Sequence, residues 1–282
     1  MPPHESAVRK TLEAQYPLLT AQQRRAADYL LTHQRTVFSL SVQELAKAAD
    51  VSEATLVRFA RRLGFDGYLE LRAALVQEAK RDLLPEDRFA YEEPSGEPVG
   101  TVAKVAKQEV QNVNRTIEQL DPKQLRKFVE ALQSAEMVAT VGLGVSGVLA
   151  RLAAYTLFRV GITSQVLLRD LVTVAEQVDR LPKRAALLAF AFPPYTKDTG
   201  VALERAKERR LPVLLITDGP RSPMVPLATA KLYAQTDNIL YTNSISGPVV
   251  LVNAIATELA LVNKPRALGA RAARRAIEDE YL

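Results

Sequence analysis

Three arginines, Arg58, Arg61 and Arg62, lie close together just after a Ser52-x-x-Thr55 pair. Guanidinium forks at this spacing suit guanine edges or phosphate oxygens, while a threonine offers both a hydroxyl and a methyl. A second chemical signal is Gly142-Leu-Gly-Val-Ser-Gly147. Glycines so placed let backbone N–H groups approach an anion, the start of a following helix adds a positive end, and Ser146 can donate from its hydroxyl. The same string reads as G-x-G-x-x-G, the dinucleotide fingerprint, with Asp170 where a ribose-binding acid would sit. A glycine-tightened strand–helix turn without a ligand explains the spacing as well.

Acid–base chemistry has little to work with. The chain of 282 residues has no cysteine and two histidines, His4 and His33, both near the N-terminus. Thiolate metal sites, disulfides and a cysteine nucleophile are excluded. Glu176, Glu204 and Glu258 each sit in an ordinary helical context, with no paired carboxylates and no metal-ligand spacing. We therefore expect a sensor that binds without reacting, with no catalytic residue, metal or cofactor. Apolar residues make up 48%, charged residues 24%, and the net charge is +5, a balance compatible with a soluble globular protein and with nucleic acid. There is no signal-peptide core and no uninterrupted 18-residue apolar run, so a cytoplasmic protein without membrane contact is expected.

The elements that must position these residues can be read locally. Thr20-Ala-Gln-Gln23 has the form of a capping box ahead of a helix to about Thr32, and Ser41-Val-Gln-Glu44 repeats it. Val42, Leu45, Ala46 and Ala49 make one apolar stripe, Ala49-Asp50-Val51 makes a tight turn, and Ser52 caps a helix from about Glu53 to Leu63. On that helix Leu56, Phe59, Ala60 and Leu63 should point inward. Ala54, Thr55, Arg58, Arg61 and Arg62 are expected on the opposite side, with Gly64 as the stop and Phe65 behind it. Two short helices joined by a short turn, the second with an arginine face, have the layout of a helix-turn-helix. A plain helical hairpin with a solvated basic face has the same periodicity.

Residues from about Leu83 to Gly100, with Leu84-Pro-Glu-Asp and Glu92-Glu-Pro-Ser-Gly-Glu-Pro98, read as a linker. A helix over Thr101–Leu120 and another from Asp121-Pro122 follow. Beyond them β-rich runs at Met137–Val141, Gln165–Leu168, Ala186–Phe192, Pro212–Thr217 and Lys231–Ala234 alternate with helical stretches. This predicts a three-layer αβα sandwich with a five-stranded parallel sheet, its ligands beyond the carboxyl ends of the strands. Asn243-Ser244 reads as the cap of a last long helix, Pro248–Val262, and a basic helical tail covers Arg266–Arg275.

The stretch from Ser41 to Tyr68 resembles the N-terminal domain of the RpiR/MurR family of bacterial transcriptional regulators. Ser52-x-x-Thr55-x-x-Arg58 and Leu63-Gly-Phe-Asp-Gly-Tyr68 carry the likeness. Residues from about Asp121 to Val262 are similar to a SIS (sugar isomerase) domain, through Gly142-x-Gly144-x-Ser146 and Leu215-Ile-Thr-Asp-Gly-Pro-Arg-Ser-Pro223. The resemblance implies an all-α helix-turn-helix domain over residues 1–82, a linker over 83–100, a SIS-like α/β domain over 101–265 and a helical tail over 266–282. It implies a double-stranded DNA operator as partner, read by Ser41, Ser52, Ala54, Thr55, Arg58, Arg61 and Arg62. It also implies a small-molecule effector, a sugar phosphate or other carbohydrate derivative, held by Gly142, Gly144, Ser146 and Gly147, and a homodimer or dimer of dimers.

One departure bears on the effector. SIS domains that bind phosphosugars usually carry Ser-x-Ser-x-x-Thr after the third strand, whereas this chain has Ala191-Phe-Pro-Pro-Tyr-Thr196. Two hydroxyls are gone, and Pro193 and Pro194 have no N–H to donate. Tyr195, Thr196 and Lys197 become the candidates for reading a different ligand there, a carboxylate or an unphosphorylated polyol; a surface turn with a solvated lysine fits the same residues. Two other functions fit parts of the pattern: a redox sensor binding NAD(H) through Gly142–Gly147, and a sugar-phosphate isomerase with a vestigial N-terminal domain.

Overall fold

The computed structural model describes residues 7–33, 40–82, 97–240 and 242–281. They fall into two compact units that divide between Glu93 and Pro94. Most of the linker expected over residues 83–100 lies outside the described residues.

The first unit is helical: α1 (Ala7–Gln15), α2 (Ala21–Thr32), α3 (Val42–Ala48), α4 (Glu53–Arg62) and α5 (Tyr68–Asp82). Both capping boxes form. Thr20 accepts from Gln23 N while Gln23 accepts from Thr20 N, and Ser41 and Glu44 do the same. Asp50 takes a left-handed conformation (φ +52°) in the turn between α3 and α4, and Ser52 caps α4 through Thr55 N. At its other end Gly64 (φ +92°) closes α4 with paired bonds, Gly64 N to Arg61 O and Phe65 N to Ala60 O. A side chain is strained at that φ, which is why glycine stands there. Leu56, Phe59 and Ala60 are fully buried against Leu45 of α3, Ala26 and Ala27 of α2, and Leu71 of α5.

The second unit opens with α6 (Pro98–Glu118) and α7 (Pro122–Ser134). The first of these starts earlier than the predicted Thr101, because Pro98 occupies a first-turn position where its missing N–H is harmless. Then β1 (Met137–Val141), α8 (Val145–Arg159), β2 (Ser164–Val166), α9 (Val174–Asp179), β3 (Ala185–Ala191), α10 (Lys197–Glu208), β4 (Val213–Thr217), β5 (Ala230–Tyr233), α11 (Ser246–Val262) and α12 (Lys264–Tyr281) follow. The five strands are all parallel, in the order β2-β1-β3-β4-β5. Strand bounds differ from the predicted ones by a residue or two, as hydrogen-bonded register and apolar content end at slightly different places.

Alternation along the strands divides the core. Val138, Leu188, Phe190, Leu214 and Ile216 face α7, α8 and α11, whereas Ala139, Leu187, Ala189, Val213 and Leu215 face α9 and α10. Both faces of the sheet are therefore covered, giving the three-layer sandwich. The strand order reverses between β1 and β3. Loops leaving the carboxyl ends of those two strands diverge there and leave a crevice.

Candidate functional site

On the first unit, α4 presents Ala54, Arg58, Arg61 and Arg62 to solvent. Thr55 differs from its expected place: it is 2% exposed, on the inward side. It sits only one residue from Leu56 on the helix, and a polar partner waits for it. Its hydroxyl lies 2.8 Å from Ser52 Oγ, donates to Gln22 Oε1 at 3.2 Å, and accepts from Arg58 Nη2 at 3.4 Å. Thr55 thus joins the start of α4 to the start of α2 and steadies Arg58. Arg61 donates from Nε to Asp66 O at 3.1 Å. Ser41 is engaged with Glu44, whose carboxyl these bonds hold below the usual carboxylate range.

The N-termini of α2 and α4 converge beside Arg58. Thr20, Ala21, Gln22, Gln23, Thr55 and Arg58 line a shallow depression of about 450 Å³. Helix starts carry unpaired N–H groups and positive potential, so this depression favours an anion such as a backbone phosphate. Sequence reasoning read Thr20–Gln23 as a cap but missed Gln22 and this partnership, since the contact spans 33 residues.

On the second unit the glycine turn sits at the sheet's reversal point. A Cβ on Gly142 would lie 2.4 Å from Ser146 O, and one on Gly147 would lie 3.0 Å from Gly142 O. Gly144 (φ +59°, ψ −130°) caps α8 in a conformation open to glycine alone. The backbone of the turn is consequently bare, and Ser146, 7% exposed, lines the crevice from the first turn of α8. From the β3 side come Ala191, Pro194, Thr196 and Thr199, and the free space among them is about 10 Å³, room for about one water.

The β3 loop departs from expectation at two residues. Tyr195 donates its hydroxyl to Asp218 Oδ1 at 2.6 Å and packs against the α9–α10 side of the core, so its polar end is already engaged. Burial first, and then that bond and the Asp218 charge, push its phenol well above the ordinary tyrosine range. Lys197, at the first position of α10, is exposed and does not line the crevice. Thr196 does, with its Oγ1 2.8 Å from that of Thr199, a residue the sequence reading overlooked although it stands one helical turn further on.

Asn243 does not serve as the predicted cap, whereas Ser244 Oγ accepts at 3.3 Å from the N–H of Ser246, the first residue of α11. Ile245 holds the N-cap position of α11. Asn243 instead donates to Pro193 O in the β3 loop, and Ser244 donates to Glu109 of α6. Of the carboxylates weighed for catalysis, Glu204 and Glu258 are exposed. Glu176 is tied up in the capping box of α9, its carboxyl lowered first by the Thr173 hydroxyl and then by the Thr173 N–H. Asp170, the candidate ribose ligand, is exposed beyond β2.

These features define a class: a helix-turn-helix unit joined in one chain to an α/β unit with a crevice at its sheet reversal. Comparison with known proteins makes this specific. Residues 7–82 match the "Helix-turn-helix domain, rpiR family" and residues 131–258 match the "SIS domain". An HTH-type transcriptional regulator of Haemophilus influenzae is 30% identical over 215 residues, 76% of this chain and 74% of that one. The RpiR transcription factor of Sphaerobacter thermophilus, solved as its sugar isomerase domain, is 29% identical with a TM-score of 0.59. That likeness covers 61% of this chain and 97% of that one. NanR of Vibrio vulnificus, solved with ManNAc-6P, shares the fold at 24% identity and a TM-score of 0.59, covering 96% of this chain and 98% of that chain.

The chain belongs to the rpiR family of helix-turn-helix transcriptional regulators carrying a SIS domain. It is a DNA-binding transcriptional regulator. The SIS match spans the glycine turn, so a nicotinamide site there is not favoured, and neither is an isomerase reading of the whole chain. Among the described residues no single helix is long and apolar enough to cross a membrane.

Proposed function

We propose that this regulator reads an operator half-site with Arg58, Arg61 and Arg62 of α4, and that its affinity for DNA is set by a small anionic carbohydrate derivative, a sugar phosphate, bound against the glycine turn at the mouth of the β1–β3 crevice. The crevice interior has room for only about one water. The observation that carries the effector half is the bare turn of Gly142–Gly147. It sets three glycines and Ser146 at the start of α8, where backbone donors and helix potential favour a phosphate or carboxylate. The complex of NanR with ManNAc-6P supports the same class of ligand.

Phosphate contacts on the β3 side then come from Thr196 and Thr199 in place of the two replaced serines. Tyr195 braces the β3 loop through Asp218, and Lys197 stays outside the crevice lining. On the DNA side Thr55 and Ser52 position Arg58, while the depression beside α2 takes a backbone phosphate. The crevice binds without turning over its ligand, in keeping with the regulator names of its relatives.

The test is a thermal-shift titration of the full chain with hexose and hexosamine phosphates, the matching free sugars, and sugar acids. A ligand bound only by the folded state raises the melting temperature by mass action, by about 2.7 kcal/mol of stabilisation at a hundredfold excess over Kd. Stabilisation by phosphorylated sugars, lost in Ser146→Ala, is the expected result. Stabilisation by free sugars alone refutes the anionic reading.

A further inference from the structure

The crevice at the sheet reversal is short of positive charge. Ser146, Thr196 and Thr199 line it, but among the described residues of its lining there is no lysine or arginine. Asp198, between the two threonines in the chain, even adds a carboxylate to the first turn of α10. A phosphate ester carries about −1.5 to −2 charges at neutral pH. Held at the crevice mouth by hydroxyls and backbone N–H groups alone, most of that charge would go unmatched.

A cation stands close by. Arg169, in the loop from β2 to α9, pairs through Nη1 with Asp198 Oδ2 at 3.0 Å. In the sheet order β2-β1-β3, β1 lies between the strand that leads to Arg169 and the strand that leads to Asp198. Neighbouring strands are about 4.8 Å apart, so the pair links segments roughly 10 Å apart across the carboxyl end of β1. The glycine turn begins at that end.

The loop is fastened at its neck. Gln177 of α9 donates to Leu168 O and, at 3.2 Å, to Val172 O, which ties its two sides together. At its tip the Arg169 side chain is 70% exposed and Leu171 is 99% exposed. An ion pair this open to water contributes little to stability, so exchanging one anion for another costs little. Asp198 does not depend on Arg169, because the start of α10 itself favours a negative charge.

We propose that Arg169 is the charge-matching ligand of the effector: on binding it leaves Asp198 for the phosphate at the glycine turn, and the loop tip carries Leu171 over the mouth of the crevice. This rests on the anionic effector proposed above. A guanidinium fork grips a phosphate through two bonds and gains far less from a neutral hydroxyl, so Arg169 sets the preference for phosphorylated over free sugars. It also supplies donors that Ala191 and Pro193 do not.

The full chain is titrated with inorganic phosphate, hexose and hexosamine phosphates and the free sugars, followed by thermal shift. Arg169→Ala is expected to weaken the phosphorylated probes about tenfold or more, with the melting of the unliganded chain unchanged. Arg169→Lys should restore part of the loss. Asp198→Asn should tighten the same probes, and by more when Arg169 is present than in Arg169→Ala, because only then does it release a competing partner. The chain has no tryptophan, so Leu171→Trp gives the loop tip its own fluorescence. Its emission should move to the blue when a phosphorylated probe is added, and should not do so in Arg169→Ala. Equal affinity of parent and Arg169→Ala overturns the proposal and leaves the effector reading standing, as does an equal gain from Asp198→Asn in both backgrounds. A parent that responds to no phosphorylated probe overturns both.

Discussion

Thr55→Val separates a residue that touches DNA from one that places another. Valine keeps the shape and trades the hydroxyl for a methyl at a position 2% exposed. The hydroxyl has three neighbours, at 2.8 Å (Ser52), 3.2 Å (Gln22) and 3.4 Å (Arg58). Each of the first two contributes about 1 kcal/mol at most, and Ser52 and Gln22 are exposed enough to recover water as a partner. The contact at 3.4 Å lies near the limit of a hydrogen bond and adds little to stability, but it restrains Arg58. The expected loss of stability is therefore about 1–2 kcal/mol, read from urea unfolding of the helical unit by circular dichroism. Anisotropy with an operator obtained by in vitro selection, at fixed salt, should show affinity reduced about three- to tenfold. Base preference should be unchanged. The reasoning fails if stability moves by less than about 0.3 kcal/mol while preference changes at one base pair, since the hydroxyl would then be reading DNA itself.

Arg58→Ala should weaken operator binding by about 1–3 kcal/mol and scrambled DNA far less, measured by competition anisotropy. Arg62→Ala should weaken both alike and lower the slope of log affinity against log salt by about one, as expected of a phosphate contact. Gly142→Ala puts a methyl 2.4 Å from a backbone oxygen. It should lower stability by about 1–3 kcal/mol and abolish effector-induced thermal shifts. The raised phenol pKa of Tyr195 has its own signature. The folded chain retains a proton that the unfolded chain releases above the ordinary value of 10.0, so this stabilisation is intact below pH 10 and declines as pH rises beyond it. Melting temperatures taken from pH 8 to 11 should therefore fall more steeply for the parent than for Tyr195→Phe.

What was legible in the sequence was local or periodic. Capping boxes need four residues, so Thr20–Gln23 and Ser41–Glu44 announced their helices, and the apolar runs announced five parallel strands to within a residue or two. Contacts between distant segments left no such mark. Periodicity puts Thr55 outward because it sees only its own helix, while the contact with Gln22 comes from another. Asn243 has the residue type of a cap, yet its amide reaches Pro193, 50 residues away. The early start of α6 was hidden by an acidic, proline-containing stretch whose composition resembles a linker on either side of Pro98. In the crevice, Gly142–Ser146 was readable because close backbone approach demands glycine. The engagement of Tyr195 with Asp218 was not, because a tyrosine's hydroxyl partner depends on which strands are neighbours.

Asn243 and Ser244 are adjacent in the chain and fasten in opposite directions, one to the loop after β3 and the other to α6. A single peptide unit therefore serves two anchors. Any shift of Pro193 large enough to drag Asn243 also drags the hydroxyl that holds Glu109, and a tilt of α6 at Glu109 pulls back along the same path. The rim of the crevice and the helix that opens the second unit are thus fastened to neighbouring residues of one short segment.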